Sequence, residues 1–113
     1  MGMVDKPINR FEVWSIRLNP TEGSEQRGIS RPCVVISPQE LIDNLSIVTV
    51  LPLTSQSRKT PFRISCTFKG REGLVLLEQI RTVTKDRFLG KMGHIGDKVA
   101  IEISDTLQEF FAY

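Results

Sequence analysis

Apolar and polar positions alternate over residues 11–18, with Trp14, Ile16 and Leu18 on one side of an extended chain and Phe11 and Val13 on the other. That period of two predicts a strand apolar on both faces. Residues 33–36 and 47–53 are β-branched apolar runs of strand length. Over residues 62–68, Phe62, Ile64, Cys66 and Phe68 alternate with Arg63, Ser65 and Thr67, the pattern of a half-buried strand. Another strand is expected to begin over 74–77 and to extend toward Val83.

Helical signals are fewer. Ser37, Pro38 and Glu40 have the order of a capping box, with a hydroxyl at the N-cap, proline at the first helical position and a carboxylate three residues after the cap. The helix they start must be short, since Asn44 and Leu45 lead straight into the next strand. Thr84 is expected to cap a second short turn at residues 85–87. Gly96 and Asp97 open a longer segment in which Val99, Ile103, Leu107, Phe110 and Phe111 recur at helical spacing, predicting a C-terminal helix across the sheet. The fold class is therefore mainly β (α+β), a small antiparallel barrel carrying short helices. Residues 19–30 break the economy of short connections with a polar stretch of about twelve residues, the length at which loops are usually functional.

Composition changes this picture little. With 113 residues, 40% hydrophobic and 25% charged, the chain has the size and make-up of one globular domain, read as 1–113 with residues 1–9 as a flexible extension. The start has no apolar run after its charges, and no uncharged apolar stretch approaches the ~20 residues of a membrane span, so a cytoplasmic protein is expected. Cys33 and Cys66 sit far apart in strand-like segments and read as buried thiols, without the spacing of a disulfide framework or a zinc site. A net charge of +2 does not select a partner. Its distribution is more suggestive: Arg58, Lys59, Arg63, Lys69 and Arg71 precede Arg81, Lys85, Arg87 and Lys91, which suits either a phosphate-binding surface or a solvated one.

Three segments at strand ends, NPTEGSEQRGISRP, PLTS and LEQIRT, mix hydroxyl, amide, carboxylate and guanidinium groups. If those ends meet, Glu25, Gln26, Arg31, Thr54, Ser55, Glu78, Gln79 and Arg81 share one polar pocket. Together with EVW before the first, VVIS between the first and second, and LLEQIRTVTKDRFLGKMG as the extended form of the last, these motifs closely resemble the MazF/PemK toxin endoribonucleases of toxin–antitoxin systems. The resemblance runs from about Arg10 to the C-terminus. It implies an SH3-like barrel of the CcdB/PemK kind, a homodimer, no metal or other cofactor, and an antitoxin partner whose acidic segment covers the RNA groove. The implied activity is sequence-specific cleavage of single-stranded RNA to a 2′,3′-cyclic phosphate and a 5′-hydroxyl, which stops translation. Arg31 and Thr54 fall on the catalytic arginine and threonine. Ser24, Glu25 and Gln26 match the substrate loop, and Glu78, Gln79, Arg81 and Thr82 match the segment that holds RNA, with Ser55 beside Thr54.

The residue types suit that chemistry. Attack by a ribose 2′-OH needs its proton removed and the phosphate charge stabilised. Arg31, permanently charged and fork-shaped, fits the second task and not the first. Thr54 can donate a hydrogen bond but does not ionise unaided. A carboxylate, Glu25 or Glu78, is the natural base. Ser24 and Leu76 stand where some relatives have a histidine and an arginine, so a mechanism built on those two groups does not apply. The loop before Arg31 is one residue longer than in many relatives, and Phe11 replaces the usual glycine after the first arginine. Trp14 is expected in the core and Pro32 to shape strand entry. His94 is expected in a structural or exposed role, Arg81 on phosphate or paired with Glu78, and Phe110 and Phe111 anchoring the last helix or a dimer interface. Rival functions are a gyrase-inhibiting toxin on the same fold and a catalytically silent RNA-binding barrel.

Overall fold

The computed structural model describes residues 7–18 and 30–113. In chain order they form β1 (Glu12–Arg17), β2 (Ser30–Val35), α1 (Gln39–Asn44), β3 (Ile47–Thr54), β4 (Arg63–Phe68), β5 (Arg71–Leu76), β6 (Arg81–Thr84), β7 (Phe88–His94) and α2 (Asp97–Phe110). Neighbouring strands run β4-β5-β3-β2-β1-β7, with β6 also on β3, and the pairs are antiparallel. The predicted mainly β architecture and C-terminal helix are both present.

The longest strand, β3, organises the sheet. One edge takes β2 (Val35 opposite Val50, Cys33 opposite Pro52). The other takes β6 along its first half, Ile47 opposite Thr84 to Val50 opposite Arg81, and β5 at its end, Leu53 opposite Val75 and Thr54 opposite Leu74. While β3 advances from Val50 to Leu53, its partner chain runs from Arg81 back to Val75. The surplus residues form a 3-10 turn at Leu77–Gln79. The strand expected to continue from 74 toward Val83 is therefore two strands with a corner between them, and the β4–β5 hairpin folds over to make a half-barrel.

Strand β1 is apolar on both faces because both are covered. Val13 joins Val34, Leu51 and Val75 in a core closed by Ala100 and Ile103 of α2. Trp14 and Ile16 face the other way, onto Cys33, Val50, Phe88, Ile42 of α1 and Ile8. Ile16, Ile42, Phe88 and Ile103 are almost wholly removed from water, each burial contributing roughly 1.5–3 kcal/mol. Phe110 of α2 packs edge-on against Phe62 at 5.0 Å. Trp14 meets Phe88 at 5.4 Å, a core role as expected.

Several local expectations are corrected. Ser37 does not cap α1: Pro38 holds the cap position with no side-chain bond, and the Ser37 hydroxyl accepts the Thr49 N–H at 2.7 Å. A neighbouring strand edge outcompetes the helix for it. Thr84 likewise makes no cap bond to the 3-10 turn at Lys85–Arg87, because its hydroxyl donates to the Asp86 carboxylate. Ile8 is 3% exposed and Asn9 bonds Glu12, so the chain is tied down from within the expected 1–9 extension. Strand β7 was not anticipated, since Gly90 and Gly93 interrupt its alternation and its pairing with β1 shifts register twice.

Candidate active site

Arg31 lies in β2 opposite Ile16 of β1, and Thr54 ends β3. The β2–β3 pairs run Val35–Val50, Val34–Leu51 and Cys33–Pro52. One more pleat repeat in that register brings Arg31 opposite Thr54, on the face shared by Cys33, Val35 and Val50. Both are half-buried at the strand ends. Two pieces of backbone hold Thr54. Its hydroxyl accepts the Gln56 N–H at 3.2 Å, and its carbonyl oxygen lies where a Cβ on Gly73 would come within 3.0 Å. Glycine at 73 lets β5 approach this closely.

Arg81 begins β6 opposite Val50 and belongs by alternation to the same face. The buried Cys33 thiol registers both cations: burial pushes it up to about 12, and the charges of Arg31 and Arg81 pull the other way. Both guanidiniums therefore lie within electrostatic reach of Cys33. Arg81 does not pair with Glu78. It donates to the Leu18 carbonyl at 3.0 Å, the same oxygen that receives Arg87 at 2.9 Å. Arg87, which the motif reading passed over, thus helps pin the end of β1. Its signals in the sequence were its place in the basic run and in the last family motif, neither of which suggests contact with Leu18.

Glu78 and Gln79 are exposed on the 3-10 turn beside β3. Glu78 accepts from Arg63, whose Nε lies 3.0 Å from Oε2, while Arg63 Nη1 donates to the Arg58 carbonyl at 3.0 Å. The Arg63 hydrogen bond holds the Glu78 carboxyl below the usual carboxylate range, against a smaller upward push from burial. Arg63 was read as the polar side of a strand, and only the β4–β5 pairing, with Arg63 opposite Leu76, reveals it as the partner of Glu78. Thr82 faces Thr49, their hydroxyls 3.3 Å apart, and by alternation shows on the opposite face from Arg31 and Thr54. Ser55 is exposed just beyond β3. Ser24, Glu25 and Gln26 lie outside the described residues.

A groove of about 770 Å³ begins at Thr54 and Ser55 and runs between Ser65 and Thr67 of β4, Glu72 of β5, and Lys98 and Glu102 of α2. His94 is exposed at the end of β7 and Trp14 donates its indole N–H to Glu12 at 3.0 Å, so both are occupied away from Thr54. Cys33 and Cys66 are free buried thiols. Among the described residues no group of three His, Cys, Asp or Glu side chains is arranged to hold a metal ion, and no helix is long and apolar enough to cross a membrane.

The structure is thus an antiparallel half-barrel with a C-terminal helix, whose β2 and β3 ends carry a guanidinium and a hydroxyl on one sheet face. The comparisons name the class. Residues 9–111 match the family model of the PemK-like, MazF-like toxins of type II toxin–antitoxin systems. The endoribonuclease EndoA of Bacillus subtilis is 34% identical over 109 residues, covering 89% of this chain and 91% of that protein. The endoribonuclease toxin MazF of Escherichia coli is 34% identical over 71 residues, 63% of this chain and 62% of its own. A MazF structure from Deinococcus radiodurans superposes with a TM-score of 0.77 at 20% identity, covering 94% of this chain and 97% of that one. A mycobacterial endoribonuclease, solved with its cognate antitoxin, superposes at 0.75 with 19% identity over 92% and 96% of the two chains. This chain belongs to the PemK-like, MazF-like toxin family.

Proposed function

We propose that this protein is a cytoplasmic toxin that cleaves single-stranded RNA at short specific sequences and is neutralised by a cognate antitoxin. What supports the reading is the β2–β3 register, which, carried on by one pleat repeat, brings Arg31 opposite Thr54, with Arg81 on the same sheet face. Relatives carrying the name endoribonuclease support it, as does the antitoxin complex of a structural relative.

The chemistry follows from what each group can do. A ribose 2′-OH attacks the adjacent phosphorus, its proton passing to a carboxylate, while the bond from phosphorus to the 5′ oxygen breaks and that oxygen takes up a proton. The products are a 2′,3′-cyclic phosphate and a 5′-hydroxyl, with no metal needed to supply charge. Arg31 binds the non-bridging oxygens with charge-assisted hydrogen bonds that strengthen as charge builds on the phosphorane. Thr54 donates a further hydrogen bond from across the strand pair. The base is Glu25 or Glu78, and the ion pair with Arg63 makes Glu78 the weaker acceptor at neutral pH. Ser24, Gln26, Ser55 and Gln79 offer hydrogen bonds to RNA, whereas Thr82, expected among them, has its hydroxyl against Thr49 on the opposite sheet face. Arg81 adds charge to the phosphate site while it anchors Leu18. A homodimer, as the family resemblance implies, would pair two such sites.

Arg31→Ala tests this directly. On a long single-stranded RNA the purified variant is expected to lose on the order of 10²-fold or more in kcat, the scale of removing a transition-state donor, with an unchanged circular dichroism spectrum. Cleavage by the variant at the wild-type rate would overturn the assignment.

A further inference from the structure

Next to Thr54 lies a second cavity, of about 230 Å³, at the mouth of the half-barrel. Its wall is apolar, built from Pro32, Leu53, Phe68 and Met92, and Thr54 and Ser55 form the side it shares with the larger groove. Lys69, Arg71 and Glu72 stand around it. None of the family motifs includes Phe68 or Lys69.

Phe68 is placed by two backbone devices. Lys69 and Gly70, the two residues between Phe68 and its partner Arg71, both have positive φ (55° and 76°), as a tight two-residue hairpin turn of the I′ kind requires. Gly93 of β7 lies against the ring: a Cβ there would sit 3.2 Å from Cε1 and Cζ. The ring thus rests on bare backbone. The Lys69 ammonium lies over it at 6.0 Å from the centroid. Phe68 is only half-buried, packed on the core at one side and lining the cavity at the other.

We infer that this cavity is a nucleobase subsite, with Phe68 as the platform on which a base next to the scissile phosphate stacks. The inference rests on the RNA-cleaving reading and says where that activity gains sequence preference. Four features carry it. The volume lies below the ~300–1,000 Å³ of pockets for larger ligands and suits a single planar group. An aromatic ring with cations around it is the pairing that single-stranded nucleic-acid sites use: the base takes the ring face as the exposed Lys69 ammonium, now over it, moves to the phosphate with Arg71. The Glu72 carboxylate stands as acceptor for an exocyclic amine on the base edge. Thr54 and Ser55, which line both cavities, put the subsite at the end of β3, around the strand end from the proposed phosphate site.

The test uses Phe68→Leu, which keeps apolar volume and removes the π face, and Phe68→Tyr, which keeps both. Cleavage of a single-stranded RNA carrying the mapped site is measured alongside RNAs with one abasic nucleotide at each position flanking the cut. Stacking of one base accounts for on the order of tenfold in affinity. Phe68→Leu is therefore expected to raise KM about tenfold, to leave kcat at saturating RNA near wild type, and to relax base preference at one flanking position. Phe68→Tyr keeps wild-type values. At that position the abasic RNA costs the wild type the same factor and costs Phe68→Leu nothing further. If Phe68→Leu keeps the wild-type KM and preference, or loses the same factor on base-bearing and abasic RNA, Phe68 serves only packing and the subsite is wrong. Arg31→Ala in the same assay separates the two failures, since wild-type cleavage by that variant would instead overturn the RNA-cleaving reading.

Discussion

At the residue scale, the side chains around the site divide into those whose chemistry was readable from type and those whose partners were not. A guanidinium and a hydroxyl suited to phosphate were legible at Arg31 and Thr54, whereas the partner of Glu78 was not, because Arg63 reaches it across the β4–β5 hairpin rather than along the chain. That ion pair gives a way to find the base. Glu78 has its carboxyl held down by Arg63, so in an Arg63→Gln variant it returns upward toward the ordinary range. If Glu78 takes the 2′-OH proton, the acidic limb of the kcat/KM–pH profile moves to higher pH in that variant; an unmoved limb assigns the base to Glu25. Glu12 offers a stability counterpart. It is 5% exposed; burial pushes its carboxyl up, but hydrogen bonds from the Asn9 N–H, Trp14 and Lys91 outweigh this and hold it below the usual range. A carboxyl depressed in the folded state stabilises fully above its unfolded pKa and loses that contribution as pH falls through the folded one. Glu12→Gln should thus cost about 1–3 kcal/mol near neutrality, and its Tm should fall less steeply than wild type as pH drops below about 5. Parallel Tm–pH curves would show that the network does not depend on charge.

At the element scale, alternation exposed β1 and β4, and a β-branched run of strand length exposed β3, which is buried on both faces. Such patterns failed where backbone geometry overrode them: at the Leu77–Gln79 corner, whose residues read as more strand, and in β7, where glycines stand at Gly90 and Gly93. The start of β1 shows the same principle from the other side. Phe11 has φ 69°, a left-handed conformation that disfavours a side chain. Its ring is retained because it packs on the core and carries the Arg10 guanidinium at 5.0 Å. Truncation therefore has an unusual order: Phe11→Gly should be more stable than Phe11→Ala by about 1 kcal/mol, measured by urea unfolding, because only glycine escapes the backbone strain. Alanine equal to or above glycine would show that β1 relaxes to another conformation. Near the site, Gly73→Ala places a methyl 3.0 Å from the Thr54 carbonyl and should lower kcat through displacement of Thr54. Wild-type kcat in that variant would mean that the β3–β5 contact does not set Thr54.

At the scale of the whole molecule, the half-barrel gathers groups distant in sequence. Strand β3 brings the β2, β5 and β6 segments to its two edges, and the Leu18 carbonyl ties β1 to Arg81 and Arg87. The family motifs named candidate members of the site; their geometry was not legible, since register across β2 and β3 depends on turns and cores that no local pattern encodes. The central claim is that Arg31 and Thr54 act together on one phosphate. Groups that act as a unit are strongly non-additive in catalysis. The most direct measurement is therefore the single-turnover cleavage rate on one defined single-stranded RNA for wild type, Arg31→Ala, Thr54→Ala and the double variant. Each single change should cost on the order of 10²-fold or more, and the double little beyond the worse single. Wild-type rates in either single variant, or losses that multiply fully in the double, would contradict a shared site.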